Sequence, residues 1–350
     1  MNNFSGENFL SAPPWLMAES PGSDVIIMAE SVALRNVAGY SFCLTMKGEE
    51  KKQVKNLLKS SLRNTFDNEM PIAKLSQIER IMLAERWTIP QQMAQHPGIS
   101  EVFTNNDESE SAIVCGLEHL WIRAVSNIEN LRVKTDLLRQ SLDAMEPESG
   151  WALHPQIGYL SPNPAFCGAG IIYSIICHIP ASIITNKLGE IGLLANDYGI
   201  QLKDPWIGGF DVGSTFVRLT TRALVGNNPD NLLASISMVA ENVIEIEREA
   251  RKKLNESRTI LEDKIMRAFG LVAYAKFIEL WEFINIISTL RLGAALGIIS
   301  VSIKTIDEIL IIGQQAHIGA AMDESPTPME AAIERAKMMR QKLGIDRENF

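Results

Sequence analysis

The sequence predicts an α/β-type domain to about residue 255 and an all-helical segment from there on. Three observations carry that division. Between Asp24 and Leu219, short strand-like runs alternate with amphipathic helical stretches and turn clusters. From Asp230 onward the apolar residues keep a helical period almost without interruption. At 350 residues and 46% hydrophobic, the chain can bury one large core and a smaller second one.

Taken in order, Asp24-Val25-Ile26-Ile27 reads as a short buried strand after the turn Ser20-Pro21-Gly22-Ser23. Residues 51–63 place Val54, Leu57, Leu58 and Leu62 on one helix face, and 75–87 repeat that spacing. Residues 96–111 read as a polar, acidic loop whose run 105–110 is solvated. Ala112-Ile113-Val114-Cys115 follows as a strand, Trp121-Ile122 as a second, and 133–145 as a helix ended by Pro147. Residues 183–195 read as helix, and 199–226 mix turn residues with strand-like runs such as Thr215-Phe216-Val217-Arg218-Leu219.

Leu233, Ile236, Val239, Val243, Ile246 and Ala250 then form a long stripe with Asp230 as its N-cap. Ile260, Leu261, Ile265 and Phe269 carry the period to Gly270, and further helices are expected over 276–291 and 303–312. The last helix opens on Thr327-Pro328-Met329-Glu330, a capping box with proline at the first helical position, and ends at Gly344. Residues 320–328 read as an exposed linker, and no internal repeat is present.

A net charge of −9 and a pI near 5.2 remove the electrostatic basis for nucleic-acid binding. Met1-Asn2-Asn3-Phe4-Ser5-Gly6-Glu7 lacks the basic and apolar regions of a signal peptide. The longest apolar stretch, 169–184, is broken by His178 and Pro180 and is too short for a membrane span. A cytoplasmic protein without a membrane partner is the expectation. Cys43, Cys115, Cys167 and Cys177 show no CxxC spacing, and His96, His119, His154, His178 and His317 are scattered. Reduced thiols and no metal are expected.

The stretch 158–180 is the densest in chemistry. A loop of Pro, Asn and Gly runs into an apolar segment that reads as a helix, with Gly168 and Gly170 at the junction. Glycine lets a backbone approach a ligand, and the first amides of a helix point at an anion. Gly168 and Gly170 are thus anion-site candidates.

The loop Gly158-Tyr159-Leu160-Ser161-Pro162-Asn163-Pro164-Ala165-Phe166-Cys167-Gly168-Ala169-Gly170-Ile171-Ile172-Tyr173-Ser174 resembles the reactive loop of the ATP:guanidino phosphotransferases, in particular of the bacterial protein-arginine kinases. That loop reads roughly G-Y-L-T-x-C-P-T-N-x-G-T-G-L-R-A-S. Arg35-Asn36 resembles the end of the family's S-S-R-x-R-L-A-R-N, and Glu118-His119 the end of N-E-E-D-H-x-R. Trp15-Leu16, Asp24, the run Glu247-Arg248-Glu249-Ala250-Arg251, Leu261-Glu262-Asp263-Lys264 and Leu290-Arg291-Leu292-Gly293 extend the likeness from Trp15 to Leu343. The resemblance implies an α+β, phosphagen-kinase-like fold. It has a mixed, mainly antiparallel sheet flanked by helices over 1–255, then a helical domain over 256–350 that forms dimers in the family.

The family's chemistry, phosphoryl transfer from Mg-ATP to a guanidinium, needs an arginine cage and carboxylates. By the resemblance, the cage arginines fall on Glu30, Val32, Trp121, Ile172 and Lys203. The glutamates of N-E-E-D-H fall on Gly116 and Leu117, with Glu118 in the aspartate's place, and the loop cysteine falls on Asn163. Four lost charge-assisted contacts at roughly 1.5–3 kcal/mol each, with a carboxylate near a phosphate at roughly 1–4 kcal/mol per charge pair, together exceed a micromolar affinity of about −8 kcal/mol. The expectation is a catalytically impaired binding, scaffold or regulatory protein without a cofactor. The alternative is an active protein-arginine kinase that uses Mg-ATP through a rewired site.

Degenerate catalytic positions are then Glu118 and Asn163, and residual anion-site candidates are Lys203, Gly168 and Gly170. Cys167, four residues from Asn163, reads as a packed thiol, with a thiol enzyme as the sharper reading. His119 reads as structural, Arg218 and Arg222 as surface charges, and the acidic stretch 245–249 as a solvated helix face. The Arg-Asp pair that receives phosphoarginine in the family falls on Ala331 and Ala332. The partners implied are a second copy of the chain, a zinc-binding activator protein or a Clp-type AAA+ unfoldase.

Overall fold

Two-residue alternation along the central strands, interrupted in β1 by a register shift between Ile26 and Met28, sets the architecture. In a computed structural model, which describes residues 11–17, 20–96, 98, 100–205, 215–223, 225–322 and 326–345, the chain runs β1 (Ile26–Arg35), α1 (Gly48–Thr65), β2 (Asn68–Pro71), α2 (Gln77–Glu85), α3 (Gln91–Gln95) and β3 (Glu101–Thr104). It continues through β4 (Glu110–Val114), β5 (Leu120–Ser126), α4 (Leu131–Ala144), β6 (Leu153–His154), β7 (Gly158–Tyr159), β8 (Ile171–His178), α5 (Pro180–Ile184) and α6 (Leu188–Asp197). β9 (Gln201–Lys203) and β10 (Phe216–Thr220) complete the strands. Then follow α7 (Pro229–Asn255), α8 (Arg258–Tyr274), α9 (Leu280–Ala295), α10 (Ile303–Ile312), α11 (Gln315–Ala321) and α12 (Pro328–Lys342).

Eight strands form one sheet in the order β2-β3-β4-β5-β1-β8-β10-β9, and every pairing in it is antiparallel. β6 and β7 make a separate two-stranded ladder. Because side chains alternate across a strand, each strand serves two cores. Ala29 and Ala33 of β1, Ile122 and Ala124 of β5, and Tyr173, Ile175 and Cys177 of β8 face one way. They pack on α1, α4 and α7 through Val54, Leu58, Leu138, Leu142, Ile236 and Val243. Their alternates Met28, Val125, Ile176 and Phe216 pack on the C-terminal helices through Val272, Phe283, Ile287, Leu290 and Ile309. The helical segment therefore shares a core with the sheet.

Between the two sits a buried polar knot. The Arg291 guanidinium donates to Asp307 (2.7 and 3.2 Å) and to the carbonyls of Ser23 and Asp24 (both 2.7 Å). It also donates to His178 Nδ1 at 3.3 Å, which leaves Nε2 to donate to Ser288 Oγ at 2.9 Å. Burial and the nearby Arg291 and Arg251 charges hold His178 well below the usual imidazole range, so it stays neutral.

Several sequence expectations change. The apolar segment after Gly170 is strand β8, not a helix; its residues Ile171-Ile172-Tyr173-Ser174-Ile175-Ile176 are β-branched or aromatic and are covered on both faces. The short strand near Ile26 is the first part of a ten-residue buried strand. The acidic loop holds β3 and the start of β4, and Glu108 is buried in an ion pair with Arg86. α7 is capped by Asn228, whose Oδ1 accepts from Asp230 N at 2.8 Å, while Asp230 pairs with Arg139 at 2.8 Å. Glu247 is not solvated. Its carboxylate accepts from Ala181 N, Ser182 N, Ser182 Oγ and Arg251 Nε, closing the start of α5. α8 continues through Gly270 to Tyr274, since one glycine costs only about 1 kcal/mol. The box at Thr327 and the stop before Gly344 stand as read. Part of the expected linker, 323–325, lies outside the described residues, as do 1–10 and 206–214.

Candidate functional site

One sheet face, opposite α1, α4 and α7, is left open at the β5 end and forms a cleft. Its wall follows from register. Val32 pairs with Arg123 on β5 and Ile172 on β8, Leu34 with Trp121, Glu30 with Ser174, and Arg218 on β10 with Lys203 on β9. Alternation puts all of these on the same face. The sequence-assigned positions Glu30, Val32, Trp121, Ile172 and Lys203 thus converge on a cavity of about 370 Å³, together with Phe166, Ser174, Asp204, Arg218 and Thr220. A second cavity of about 200 Å³ adjoins it through the shared residues Pro90, Trp121, Phe166 and Ile172. Its other walls are Leu34, Gln92, Met93, Ile113, Gly116, Leu117 and Glu118.

The polar end carries more charge than the sequence suggested. Glu30 is buried and accepts from Arg123 Nε at 3.1 Å and Arg218 Nη1 at 3.3 Å. Arg218 is therefore a cleft residue and not a surface charge; its alternation with Phe216 and Thr220 on β10 was the available signal. Burial first, and Arg218 among the charges, press the Arg123 guanidinium down to about 10, opposed by Glu30. Arg123 Nη1 and Arg218 Nε are buried without hydrogen-bond partners among the described residues. Arg222 is exposed, away from this wall.

The reactive-loop region is held by residues that the motif keeps. Arg35 donates to the carbonyls of Leu34 (2.9 Å) and Gly170 (2.7 Å) and stacks on the Tyr159 ring at 3.5 Å. Gly170 has φ +64°, and a Cβ there would lie 2.5 Å from Arg35 and from Tyr159. One at Gly158 would lie 2.3 Å from the carbonyl oxygen of Gly168, itself at φ +116°. These glycines admit the chain's own backbone and side chains rather than a ligand, and no helix N-terminus stands behind Gly168 or Gly170.

Glu118 is buried. It accepts from Ser161 Oγ at 2.6 Å and from Asn36 Nδ2, and burial raises its carboxyl above the ordinary range. Asn36 also donates to the Leu160 carbonyl at 3.0 Å and accepts from His119 N at 3.0 Å. His119 Nδ1 accepts from Val37 N at 2.9 Å, so Nε2 carries the proton and donates to Ser41 O at 2.8 Å. Burial lowers its pKa, and it is structural as expected. Asn163 is exposed, and its Oδ1 caps the 3-10 turn Pro164–Phe166 through Ala165 N at 3.0 Å. Cys167 is half-buried. Its Sγ accepts from Ser161 N at 3.4 Å and donates to Ser161 O at 3.5 Å, pinching the loop shut. Neither side chain faces the cleft wall as a nucleophile with a base. Ala331 and Ala332 are buried, and the Ala332 carbonyl accepts from Ile278 N at 3.0 Å.

Magnesium-nucleotide does not fit this set. Glu118 is spent on Ser161 and Asn36 and Glu30 on two arginines; Val32, Trp121, Ile172 and Phe166 are apolar, and Lys203, Asp204 and Arg218 are the other charged residues among the described lining.

Comparison with known proteins agrees with the fold. Residues 49–250 match the model of the ATP:guanido phosphotransferase C-terminal catalytic domain, and 258–350 that of the protein-arginine kinase McsB C-terminal domain. A protein-arginine kinase of Moorella thermoacetica is 25% identical over 338 residues, 94% of this chain and 97% of that one. One of Desulforamulus reducens is 27% identical over 338 residues, 94% and 95% of the two chains. Among solved structures, a lombricine kinase superposes with TM-score 0.55 at 14% identity, covering 68% of this chain and 71% of that one. The duplicated taurocyamine kinase of Schistosoma mansoni gives 0.57 at 15%, covering 71% of this chain and 38% of that one.

Proposed function

We propose, from the premise that the chain belongs to the ATP:guanido phosphotransferase family, that it is a kinase-shaped protein-binding or regulatory subunit that does not transfer phosphate. One observation carries this reading. The positions assigned to the arginine cage line one cavity, and they hold Glu30, Val32, Trp121 and Ile172, with Lys203 as the one cation among them. A triphosphate laid there meets apolar carbon and a carboxylate where it needs donors, at a loss of roughly 1.5–3 kcal/mol per missing charged contact. The test is a thermal melt in millimolar Mg-ATP. Ligand at a hundred times its dissociation constant adds about 2.7 kcal/mol, so a clear upward shift refutes the reading.

A second reading is an active protein-arginine kinase that moves the ATP γ-phosphate to arginine side chains. The relatives' names favour it, across 94% of the chain, and taken alone they speak for it more than for the first. Labelled phosphate appearing on an arginine peptide would establish it. In either case we propose a cytoplasmic homodimer. Among the described residues no helix is long and apolar enough to cross a membrane. Ile260, Leu271 and Tyr274 of α8, Phe277, Trp281, and Met329 and Ile333 of α12 are exposed. These side chains are the apolar surface that a second copy would cover. A zinc-binding activator protein and a Clp-type AAA+ unfoldase are the hetero-partners that the resemblance suggests.

A further inference from the structure

We infer that the cleft takes a large uncharged side chain in the place where the family holds a guanidinium, with a carboxylate one residue away. Its occupant is thus a protein segment pairing an aromatic or aliphatic residue with an acidic one. The inference rests on the binding-protein reading above and names the chemistry of the partner.

The apolar cavity supplies the first half. Leu34, Met93, Ile113, Leu117, Trp121, Phe166 and Ile172 surround about 200 Å³. A dry cavity of about 150 Å³ lined by such side chains already holds benzene, so a phenylalanine ring or a leucine side chain fits. A guanidinium does not. The one carboxyl on this wall, Glu118, is bonded to Ser161 and Asn36, and its burial favours the neutral form. An arginine entering here would shed its hydration without gaining an anion.

The adjoining polar end supplies the second half. Lys203 and Arg218 line it against Glu30 and Asp204, and the fully buried Arg123 stands behind Glu30. Among the described residues three cationic side chains face two anionic ones here, and Arg218 keeps its guanidinium partly exposed at the cavity. Trp121, Phe166 and Ile172 border both cavities, so a single short segment spans them. Its apolar side chain goes one way and its carboxylate the other.

The test is titration calorimetry on the full chain with three blocked tetrapeptides, Gly-Phe-Asp-Gly, Gly-Arg-Asp-Gly and Gly-Phe-Asn-Gly, with and without Mg-ATP. We expect the Phe-Asp probe to bind at least tenfold tighter than either other probe. Leu117→Glu, at an exposed position that folding tolerates, should reverse the preference toward the Arg-Asp probe. Arg218→Gln should bring Phe-Asp down to the level of Phe-Asn. Equal or tighter binding of the Arg-Asp probe to the parent without nucleotide overturns the inference, as does no measurable binding of Phe-Asp. Binding of Arg-Asp that appears only with Mg-ATP instead overturns the binding-protein reading itself.

Discussion

Glu30→Gln should destabilise the chain by about 3–5 kcal/mol, a loss that comes from the arginine it abandons. Arg123 is fully buried, and its charge is met by Glu30 at 3.1 Å; its further contacts are Met28 Sδ at 4.0 Å and an unpaired Nη1. Two unit charges about 4 Å apart attract by about 4 kcal/mol at an effective dielectric of about 20. Removing one partner of a buried pair costs about 3–5 kcal/mol. Arg218 can turn its exposed side to water, so the loss falls on Arg123. Even with Glu30 in place, burial holds the Arg123 guanidinium below its usual range, so its charge is only partly compensated. The double variant Glu30→Leu/Arg123→Leu should therefore recover the parent's stability or exceed it by about 1–4 kcal/mol. Urea unfolding followed by circular dichroism reads both. At a slope of about 3 kcal/mol/M the single variant moves the midpoint down by roughly 1 M, and added salt changes this little because the pair is buried. A single variant within 1 kcal/mol of the parent, or a double variant worse than the single, refutes the account.

Glu118→Gln should gain thermal stability relative to the parent as pH rises from about 4.5 toward 8. The raised carboxyl contributes stability while protonated and loses it as pH climbs through its folded value; a flat or falling difference in melting temperature would contradict this. Cys167→Ser should cost under about 1 kcal/mol, since its sulfur only ties the two ends of the loop at Ser161. Loss of a defined activity in that variant would restore the thiol-enzyme reading. Light scattering should give twice the 38.8 kDa chain mass. Tyr274→Glu/Trp281→Glu, at exposed positions, should return the monomer, and a parent mass near one chain at all concentrations removes the dimer.

Helix positions were largely legible because their signals are local. The Thr327 box, the α1 stripe and 303–312 depend on residues three or four apart, and the structure keeps them within two or three residues. β8 was misread for the opposite reason. A run buried on both faces has no alternation to show, and the choice between strand and helix is made by β1 and β10 on either side. The family motif positions share one cleft wall, whereas Arg123 and Arg218 are recognisable as its cations only once register sets them beside Glu30. Glu108 and Glu247 looked like solvent charges because their partners, Arg86 and the start of α5, are 22 and more than 60 residues away.

The clamp of Arg35, Asn36 and His119 separates two histories within one motif. These three residues hold the Tyr159–Gly170 loop, the Leu160 carbonyl and the turn at Ser41, and they would be needed whether or not a phosphate ever passed. Val32, Leu117, Trp121 and Ile172 line the cleft and take no part in those loop contacts, whereas Glu30 also holds the buried Arg123. Altering those four cleft residues would therefore leave the clamp itself in place.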